Sequence, residues 1–526
     1  MGQKLSQTKE SIDIKVFLEK YYPNLEIIQI LNNGMMYKTL LITKNKAPLV
    51  VKIFIKKYYD EADTKKFTEE KEKLLSIHKS IFVEEIPASV SPIINIEDNN
   101  DLCGMIFRQY FEYSLKERMY LNPYLTNIEK IWITFQLLQN LKNLKKLGIV
   151  HGDLTPENIL LTSNLSVYFS DIASFKPTII NIDDIASYTY YFGSNDNTSL
   201  KGFYLAPERI VEKGENNLSN NEKTSAMDVF SLGVIIAELF IEKNIFTFSA
   251  MVNYKNGKTN LFDIEEFLKK IKSEKIKNLI KKMIIINPKE RITIEEALNY
   301  FQKEICPNVM KGFLIHFNVI LNNSIFWQPD LIIGYIYRYW NSIWKMIFGE
   351  NDIPIPLNNK LNLEIINLLI LENPINLNLS KSLLKKDNND IFCYDQYKFM
   401  INLLTKELIK DKEFLNESDS EINQYNKDCV LIIINYLVKN MKNVKYESSN
   451  LAAMEMVKNL SSKLPDIFNL KNIIPYFVDN LERKSFTTKL ISINYIFEIL
   501  YSFKYDELVL PVTEYNYFDS YIFPAF

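Results

Sequence analysis

The sequence predicts an α+β fold in two lobes, a strand-rich lobe before a helix-rich one, followed by a separate all-α region. Three observations predict it: β-branched runs fill the N-terminal part, helical patterns fill the centre, and two segments near the end of the sequence repeat each other. A chain of 526 residues can build several hydrophobic cores, because single domains typically hold roughly 100 to 200 residues. We therefore expect at least two domains.

The strand-rich part has the pattern of a small antiparallel sheet. From Asn24 to Lys57, the runs NLEIIQIL, MYKTLLITK and PLVVKIFIK are rich in β-branched residues and are separated by Asn, Gly, Lys or Pro. A charged helical segment, DTKKFTEEKEKLLSIHKS, follows, and the apolar runs SPIINI and CGMIFRQYF flank a turn-forming stretch. We expect a sheet with a helix beside it.

The helix-rich part is marked by capping and burial patterns. Thr126 and Glu129 form a capping box ahead of a helix with an apolar face, and Gly148 is placed to end that helix. Further on, MDVFSLGVIIAELF is apolar nearly all round, which predicts a helix that is buried through its whole circumference.

Six motifs follow one another through residues 24–305. They are VVKIF with Lys52, HGDLTPEN from His151, SDIAS with Asp171, LAPE with Glu208, DVFSLG with Asp228 and NPKER with Arg291. In this order they resemble a protein-kinase domain. The resemblance implies a bilobal kinase fold that binds ATP and magnesium.

The resemblance also implies which residues would contact the nucleotide. Lys52 would hold its α- and β-phosphates and pair with a helix carboxylate, for which Glu70 is the first choice and Glu72 the alternative. Gly34 is the only glycine of the phosphate-covering loop, whose pattern should contain three.

The loop from His151 would carry the chemistry. Asp153 would accept the proton of the substrate hydroxyl, while Asn158 and Asp171 would supply oxygen ligands to magnesium. His151 is open to two interpretations, a packed histidine that supports the loop or an acid-base group; the kinase template gives the base role to the aspartate.

Three other residues would be structural in a kinase domain. The resemblance implies that Glu208 meets Arg291 in a buried pair and that Asp228 braces the catalytic loop from below.

The loop departs from the kinase pattern at two charged positions. Gly152 and Thr155 stand where the pattern HRDLKPEN has arginine and lysine, and Ala173 replaces the glycine of DFG. Loss of the arginine suggests that phosphorylation of the activation segment does not gate this domain. Loss of the lysine removes a cation from the place where transition-state charge gathers, so we expect slow turnover or none.

These departures indicate which kinase-like family the sequence resembles. The phrases QLLQNLKNLKKLGIVHGDLTPENIL, SDIASFKPT and SYTYYFGSNDNTSLKGFYLAPERI resemble those of the protein-kinase-like regulatory subunit of the class III phosphatidylinositol 3-kinase complex. That family has a poor glycine loop, a myristoylated Met-Gly start, HEAT repeats after the kinase-like domain and a terminal WD-repeat propeller. The present sequence shows neither the blade spacing nor a WD dipeptide, so contacts of the propeller are not carried over.

The C-terminal part supports the resemblance independently. Residues 433–460 and 473–500 align at a spacing of 40 residues, with Tyr436 matching Tyr476 and Asn440 matching Asn480. That period is typical of HEAT-type helical repeats, and two unrelated amphipathic helix pairs are the alternative.

We accordingly expect HEAT-type repeats over residues 428–526. Residues 306–384 have the pattern of a helical linker region, and residues 385–427 are polar and charged enough to form an insertion. The apolar stretch from Leu331 contains Arg338 and Lys345 at depths where charge is costly in a bilayer, which predicts a buried or interfacial helix.

The first residues, 1–23, match a lipidation pattern. Removal of Met1 would leave Gly2 at the N-terminus, with Ser6 at the position that N-myristoylation requires. The motif is short and also occurs by chance. One acyl chain gives only marginal, reversible membrane binding, so a peripheral membrane role would need a second contact.

Composition narrows the remaining function classes. The formal net charge of −2 argues against a general nucleic-acid surface, so we expect no nucleic-acid partner. The four cysteines lie far apart without CxxC spacing, which predicts neither a zinc site nor a disulfide framework.

Three functions remain as hypotheses. By resemblance, the chain would be a regulatory subunit whose partners are the lipid-kinase catalytic subunit and a beclin-type coiled-coil subunit, working in sorting and autophagy on endosomal or vacuolar membranes. The others are an active serine/threonine kinase and a trafficking adaptor without a lipid-kinase partner.

Overall fold

The computed structural model divides the chain into two compact units, Met1–Ile305 and Cys306–Phe526. The residues that the structure describes are 14–22, 25–33, 37–44, 47–55, 68–69, 71–72, 75–76, 90–91, 93–99, 103–162, 165–173, 176–182, 184, 188, 191–192, 202–211, 224–258, 262–306, 310, 329–341, 344, 432, 444–464, 466, 469–482 and 485–503.

A helix and an antiparallel sheet begin the first unit. They are α1 (Ile14–Tyr21), β1 (Glu26–Asn33), β2 (Lys38–Lys44), β3 (Ala47–Ile55), β4 (Ile93–Asn99) and β5 (Cys103–Gln109). Within the described residues the sheet has five strands in the order β1-β2-β3-β5-β4, which puts β3 at its centre. The predicted β-branched runs form these strands.

The two faces of β3 have different roles. Val51 and Ile53 pack into an apolar cluster with Phe17 and Leu18 of α1. Because successive side chains of a strand point to opposite faces, Lys52 points away from this cluster. The alternation therefore directs one lysine towards the second lobe.

Helical residues of the charged segment lie against the sheet. Lys71 and Leu75, four positions apart and so on one helix face, are both buried. A Cβ at Gly104 of β5 would lie 3.1 Å from Lys71 Cγ, so the glycine lets the helix approach closely. Lys71 Nζ also pairs with Asp98 Oδ1 at 2.7 Å.

The second lobe is helical. Its helices are α2 (Leu115–Tyr120), α3 (Asn127–Lys146), α4 (Ser225–Ile241), α5 (Phe248–Lys255), α6 (Ile264–Leu268), α7 (Glu274–Met283) and α8 (Ile294–Tyr300). The predicted circumferential burial of α4 is confirmed, since every residue from Met227 to Leu239 is buried.

Helix α3 begins at the predicted capping box of Thr126 and Glu129, and Gly148 follows its end with a φ of 69°. The prediction of a single apolar face was too narrow, because polar side chains are buried as well. Gln136 Nε2 donates to Leu165 O at 2.8 Å, and Asn140 Nδ2 donates to Val167 O at 2.9 Å. Buried polar groups need such partners, and here they fix a strand to the helix.

Short strands flank the loops that carry the sequence motifs. Strands β6 (Tyr113–Ser114), β7 (Ile159–Leu161) and β8 (Val167–Phe169) form one antiparallel sheet. Strands β9 (Ile180–Asn181) and β10 (Ile210–Val211) pair in parallel. The loop from His151 leads into β7 and Asp171 follows β8, so this hairpin brings the two motifs together.

The second unit is helical where it is described. Its helices are α9 (Pro329–Arg338), α10 (Glu447–Ser461), α11 (Ile474–Asp479) and α12 (Phe486–Tyr501). Asp330 of α9 accepts hydrogen bonds from the backbone N–H groups of Lys445 and Tyr446 at the start of α10, at 3.1 to 3.2 Å.

The residues of the predicted repeat are partly described. Tyr476 donates its O–H to Asn450 Oδ1 at 3.2 Å, and Asn450 Nδ2 donates to Asn480 Oδ1 at 3.4 Å. Their counterparts Tyr436 and Asn440 lie outside the described residues, as does the polar insertion of 385–427. The helical prediction is confirmed for this part of the chain.

Where the structure describes it, the stretch from Leu331 has a buried apolar face, as the sequence predicts. Ile333, Ile336, Trp340 and Trp344 are all fully buried. Among the described residues, no helix combines the length and the apolarity needed to cross a bilayer.

Candidate functional site

Lys52 and Asp171 meet between the lobes. Lys52 Nζ lies 3.0 Å from Asp171 Oδ1, and the lysine side chain is only 7% exposed. Burial lowers the pKa of Lys52 to about 8, although the charge of Asp171 opposes that shift. Asp171 has a φ of 61°, a left-handed conformation that costs a non-glycine residue roughly 1 to 2 kcal/mol. Strain of this kind is common at functional sites.

Asp153 and Asn158 are connected to that pair by hydrogen bonds. Asn158 Nδ2 donates to the Asp153 carbonyl at 2.8 Å and to its Oδ2 at 3.4 Å. The backbone N–H of Ser170, next to Asp171, donates to Asn158 O at 2.8 Å. The structure therefore gathers Lys52, Asp153, Asn158 and Asp171, which are far apart in sequence, around one cleft.

A lysine absent from the predicted site lies against Asp153. Lys176 Nζ is 2.6 Å from Asp153 Oδ2, and its side chain is 3% exposed. Burial would raise the pKa of Asp153, but Lys176, together with the charges of His151 and Arg209, holds the pKa below its usual value. Asp153 therefore has a neighbouring cation, although Thr155 stands where the kinase pattern has lysine.

Asp228 accepts two backbone hydrogen bonds from the loop that begins at His151. Its Oδ2 accepts the backbone N–H of His151 at 2.7 Å, and its Oδ1 accepts that of Gly152 at 3.0 Å. His151 Nε2 lies 3.0 Å from Ser170 O, and burial lowers the pKa of the imidazole. This geometry agrees with the interpretation of His151 as a packed histidine that supports the loop, rather than as an acid-base group.

Arg209 ties the loop to the segment that carries Lys176. Its guanidinium donates to the carbonyls of Gly152 at 2.7 Å, Pro177 at 2.8 Å and Thr178 at 3.0 Å. Gly152 has a φ of 76°, a conformation that glycine adopts without strain. Arg209 thus connects the loop directly to the segment that follows Asp171.

Glu208 and Arg291 form the pair that the sequence indicates. Arg291 Nη1 lies 2.7 Å from Glu208 Oε1 and Nη2 lies 2.9 Å from Oε2, a bidentate arrangement. Arg291 also donates to the carbonyls of Ala226 and Ile285. The pair connects the end of the activation segment to the helical lobe.

Tyr37, just before β2, covers Lys52. Its ring centroid lies 3.5 Å from Lys52 Nζ and 5.9 Å from Lys176 Nζ. Burial and the charges of Asp171 and Asp153 raise the pKa of its phenol well above the usual value. Both ammonium groups therefore lie within 6 Å of the centroid of one ring.

A small cleft opens beside these groups. It is lined by Lys52, Val90, Ser91, Ile93, Ile106, Arg108, Asp171 and Ile172. Burial lowers the pKa of the Arg108 guanidinium, although Asp171 opposes the shift. Apolar side chains with a few charged groups among them are typical of a small-molecule site.

Some predicted site residues lie outside the described part of the chain. These are Gly2, Gly34 and Glu70. Glu72, the alternative partner for Lys52, is exposed, whereas Lys52 is buried. The carboxylate that the structure does bring to Lys52 is Asp171.

The residues fit magnesium. The Asn158 amide nitrogen is engaged by Asp153, which directs the oxygen of that amide away from the loop. Together with the Asp171 carboxylate it offers the hard oxygen ligands that Mg²⁺ prefers. Among the described residues, no group of three or more His, Cys, Asp or Glu side chains offers another metal centre.

Sequence reasoning missed Tyr37, Arg108, Lys176 and Arg209. Lys176 lies in the phrase SDIASFKPT, so its signal was present, but a lysine after a DFG-like motif has no assigned role in the kinase pattern. Tyr37 and Arg108 have no motif of their own, and only the fold brings them into the cleft.

Comparisons with known proteins agree with the kinase fold. A family model described as protein kinase domain matches residues 28–301, more than half of the chain. A second model, described as PIK3R4-like, middle domain, matches residues 433–526.

The similar curated proteins are much longer than this chain. Serine/threonine-protein kinase VPS15 of Arabidopsis thaliana is 26% identical, with 100% of this chain and 36% of the plant protein covered. VPS15 of Saccharomyces cerevisiae is 28% identical, with 77% of this chain and 28% of the yeast protein covered. The probable serine/threonine-protein kinase vps15 of Dictyostelium discoideum is 38% identical over 40% of this chain and 11% of its own length.

The two lobes, the gathered site and the kinase match define the class: the chain belongs to the protein kinase family. Within that family, its relatives are the VPS15 kinases, and a kinase domain is followed by a PIK3R4-like middle domain. The resemblance to the protein-kinase-like regulatory subunit of the class III phosphatidylinositol 3-kinase complex is therefore confirmed.

Proposed function

We propose that this chain is a kinase-like regulatory subunit that binds ATP with magnesium and scaffolds a class III phosphatidylinositol 3-kinase. One observation carries the proposal: a cleft with kinase-type residues is followed in the same chain by the match to a PIK3R4-like middle domain. The partners would be the lipid-kinase catalytic subunit and a beclin-type coiled-coil subunit.

Lys52 would neutralise the α- and β-phosphates of ATP, because its buried ammonium has one carboxylate beside it and space on the cleft side. Asn158 and Asp171 would hold magnesium, which would screen the phosphate charge when bound. Asp153 would orient the hydroxyl of a protein substrate and accept its proton.

The C-terminal helices would form the scaffold. HEAT-type repeats over residues 428–526 would stack in a solenoid, which offers a long surface for other subunits. N-myristoylation at Gly2 and a second contact would keep the complex on endosomal, vacuolar or autophagic membranes.

Affinity purification of the chain from its own cells tests the scaffold. We expect a phosphatidylinositol 3-kinase to co-purify and the eluate to produce phosphatidylinositol 3-phosphate. Absence of both would instead favour a trafficking adaptor without a lipid-kinase partner. A deletion of residues 433–526 is a control, because it should release the partner without removing the cleft.

Serine/threonine kinase activity is a second function that a specific observation favours. Asp153, Asn158 and Asp171 are intact, and Lys176 restores a cation beside Asp153. Transfer of radiolabelled phosphate to a generic protein substrate tests it, and Asp153→Asn should abolish that transfer. If wild-type chain and variant give equal background, the site does not transfer phosphate to that substrate.

A further inference from the structure

Lys176 has a position and burial that the kinase pattern does not explain. Its side chain is 3% exposed and its ammonium lies 2.6 Å from Asp153 Oδ2. A buried ammonium is costly without partners, so the site is built to keep a positive charge at this point. The position that normally supplies a cation here carries Thr155 instead.

Hydrogen bonds hold the backbone at Lys176 and at the two residues after it. The Lys176 N–H donates to Ala173 O at 3.1 Å, and the Ala173 N–H donates to His151 O at 2.8 Å. Arg209 holds the next two carbonyls, those of Pro177 and Thr178. Contacts on both sides of the residue therefore set the direction of its side chain.

Lys176 also faces the same space as Lys52. The two ammonium groups lie 5.9 Å and 3.5 Å from the centroid of one ring, that of Tyr37. Lys52 is beside Asp171, whereas Lys176 is beside Asp153. A chain of phosphates in this space would therefore meet one cation at each end.

We propose that Lys176 binds the terminal phosphate of a nucleoside triphosphate and takes over the role of the lysine that Thr155 replaced. This inference rests on the proposed nucleotide binding. It makes Lys176 a residue that distinguishes triphosphate from diphosphate, because a diphosphate held by Lys52 would not extend to Asp153. The cation comes from the segment after Asp171 instead of from the catalytic loop.

Binding of magnesium complexes of ADP and of a non-hydrolysable ATP analogue to the full chain tests the proposal. For Lys176→Met, we expect about tenfold weaker binding of the triphosphate, equivalent to about 1.4 kcal/mol, and ADP affinity within about twofold of wild type. Lys176→Arg keeps the charge and should keep most of the preference. Lys146→Met, at an exposed position, is the matched control.

A second variant guards against simple misfolding. Thr155→Lys combined with Lys176→Met returns a lysine to the catalytic loop, and we expect it to recover triphosphate affinity. Three outcomes would overturn the proposal. Lys176→Met could weaken the binding of both nucleotides equally, or it could strengthen triphosphate binding. The double variant could also fail to recover triphosphate affinity. If the wild-type chain binds neither nucleotide, the proposed nucleotide binding fails as well, and the two failures are distinguishable.

Discussion

Lys52 Nζ and Asp171 Oδ1 lie 3.0 Å apart, although the two residues are 119 positions apart in the chain. The lysine comes from the centre of the sheet and the aspartate from the loop after β8. Both residues belong to the first unit, Met1–Ile305, so the contact joins the sheet to the loop within the kinase-like unit.

The lowered pKa of Lys52, about 8, predicts that nucleotide affinity depends on pH. Bound phosphates raise this pKa, so binding takes up a proton whenever the free lysine is neutral. Affinity should therefore be constant below pH 7 and fall as pH rises through 8 to 9. Calorimetric titrations with ADP and magnesium measure this dependence.

Lys52→Arg is the matched variant for that experiment. Arginine remains charged throughout this pH range, so its affinity, although weaker, should not change between pH 7 and 9. A wild-type affinity that is the same at both pH values would show that Lys52 keeps its proton in the free protein.

Tyr37→Ala should strengthen nucleotide binding. The ring lies over Lys52 at 3.5 Å, and phosphates that reach the ammonium must displace it. Cation–π contacts contribute about 0.5 to 2 kcal/mol, so their removal should increase affinity about two- to thirtyfold. Tyr37→Phe keeps the ring and should bind like wild type; weaker binding by the alanine variant would mean that the ring supports the ligand.

Arg209→Met should loosen the segment that carries Lys176. The variant loses all three hydrogen bonds to the carbonyls of Gly152, Pro177 and Thr178. We expect about tenfold faster hydrogen exchange at the backbone amides of residues 176–182. Arg118→Met removes bonds to Leu121 and Pro123 at the end of α2 and should leave that exchange unchanged. Unchanged exchange in Arg209→Met would show that the segment does not need this arginine.

Breaking the pair of Glu208 and Arg291 should destabilise the first unit strongly. Arg291 has a fully buried side chain, and removal of one partner of a buried pair typically costs about 3 to 5 kcal/mol. Arg291→Met should lower the midpoint of the first urea transition well below that of Glu208→Gln, which retains a hydrogen-bond acceptor. Similar midpoints for Arg291→Met and wild type would contradict a structural role for the pair.

Asp330→Ala should weaken the start of α10 in the second unit. The carboxylate is buried and accepts the N–H groups of Lys445 and Tyr446, and loss of a helix cap costs about 0.5 to 2 kcal/mol. Hydrogen exchange of residues 445–450 should accelerate, and Asp330→Asn, which keeps an acceptor, should show a smaller change. If both variants exchange at the wild-type rate, the cap does not stabilise the helix.

Local patterns predicted local structure well. The capping box at Thr126, the buried helix from Met227 and the β-branched runs depend on neighbours a few positions apart, which a single sequence displays. Motifs in a fixed order also identified Lys52, Asp153, Asn158 and Asp171 as one site. The helical nature of the C-terminal part followed from its repeated pattern.

The charges around Asp153 could not be predicted from such local patterns. At Thr155 the sequence shows a missing lysine, and a local reading concludes that the cation is lost. Lys176 returns it because Arg209 and His151 fix the backbone of another segment beside Asp153.

By itself the sequence determined the two-lobed kinase class, the order of the motifs and the helical C-terminal part, because these depend on spacing and periodicity. Only the tertiary structure decided that Lys176 lies against Asp153, that Tyr37 covers Lys52 and that Arg209 connects the loop to the segment beyond it. Such contacts join residues from separate elements. Their energies depend on burial and on distances of a few ångströms, which arise only when the chain has folded.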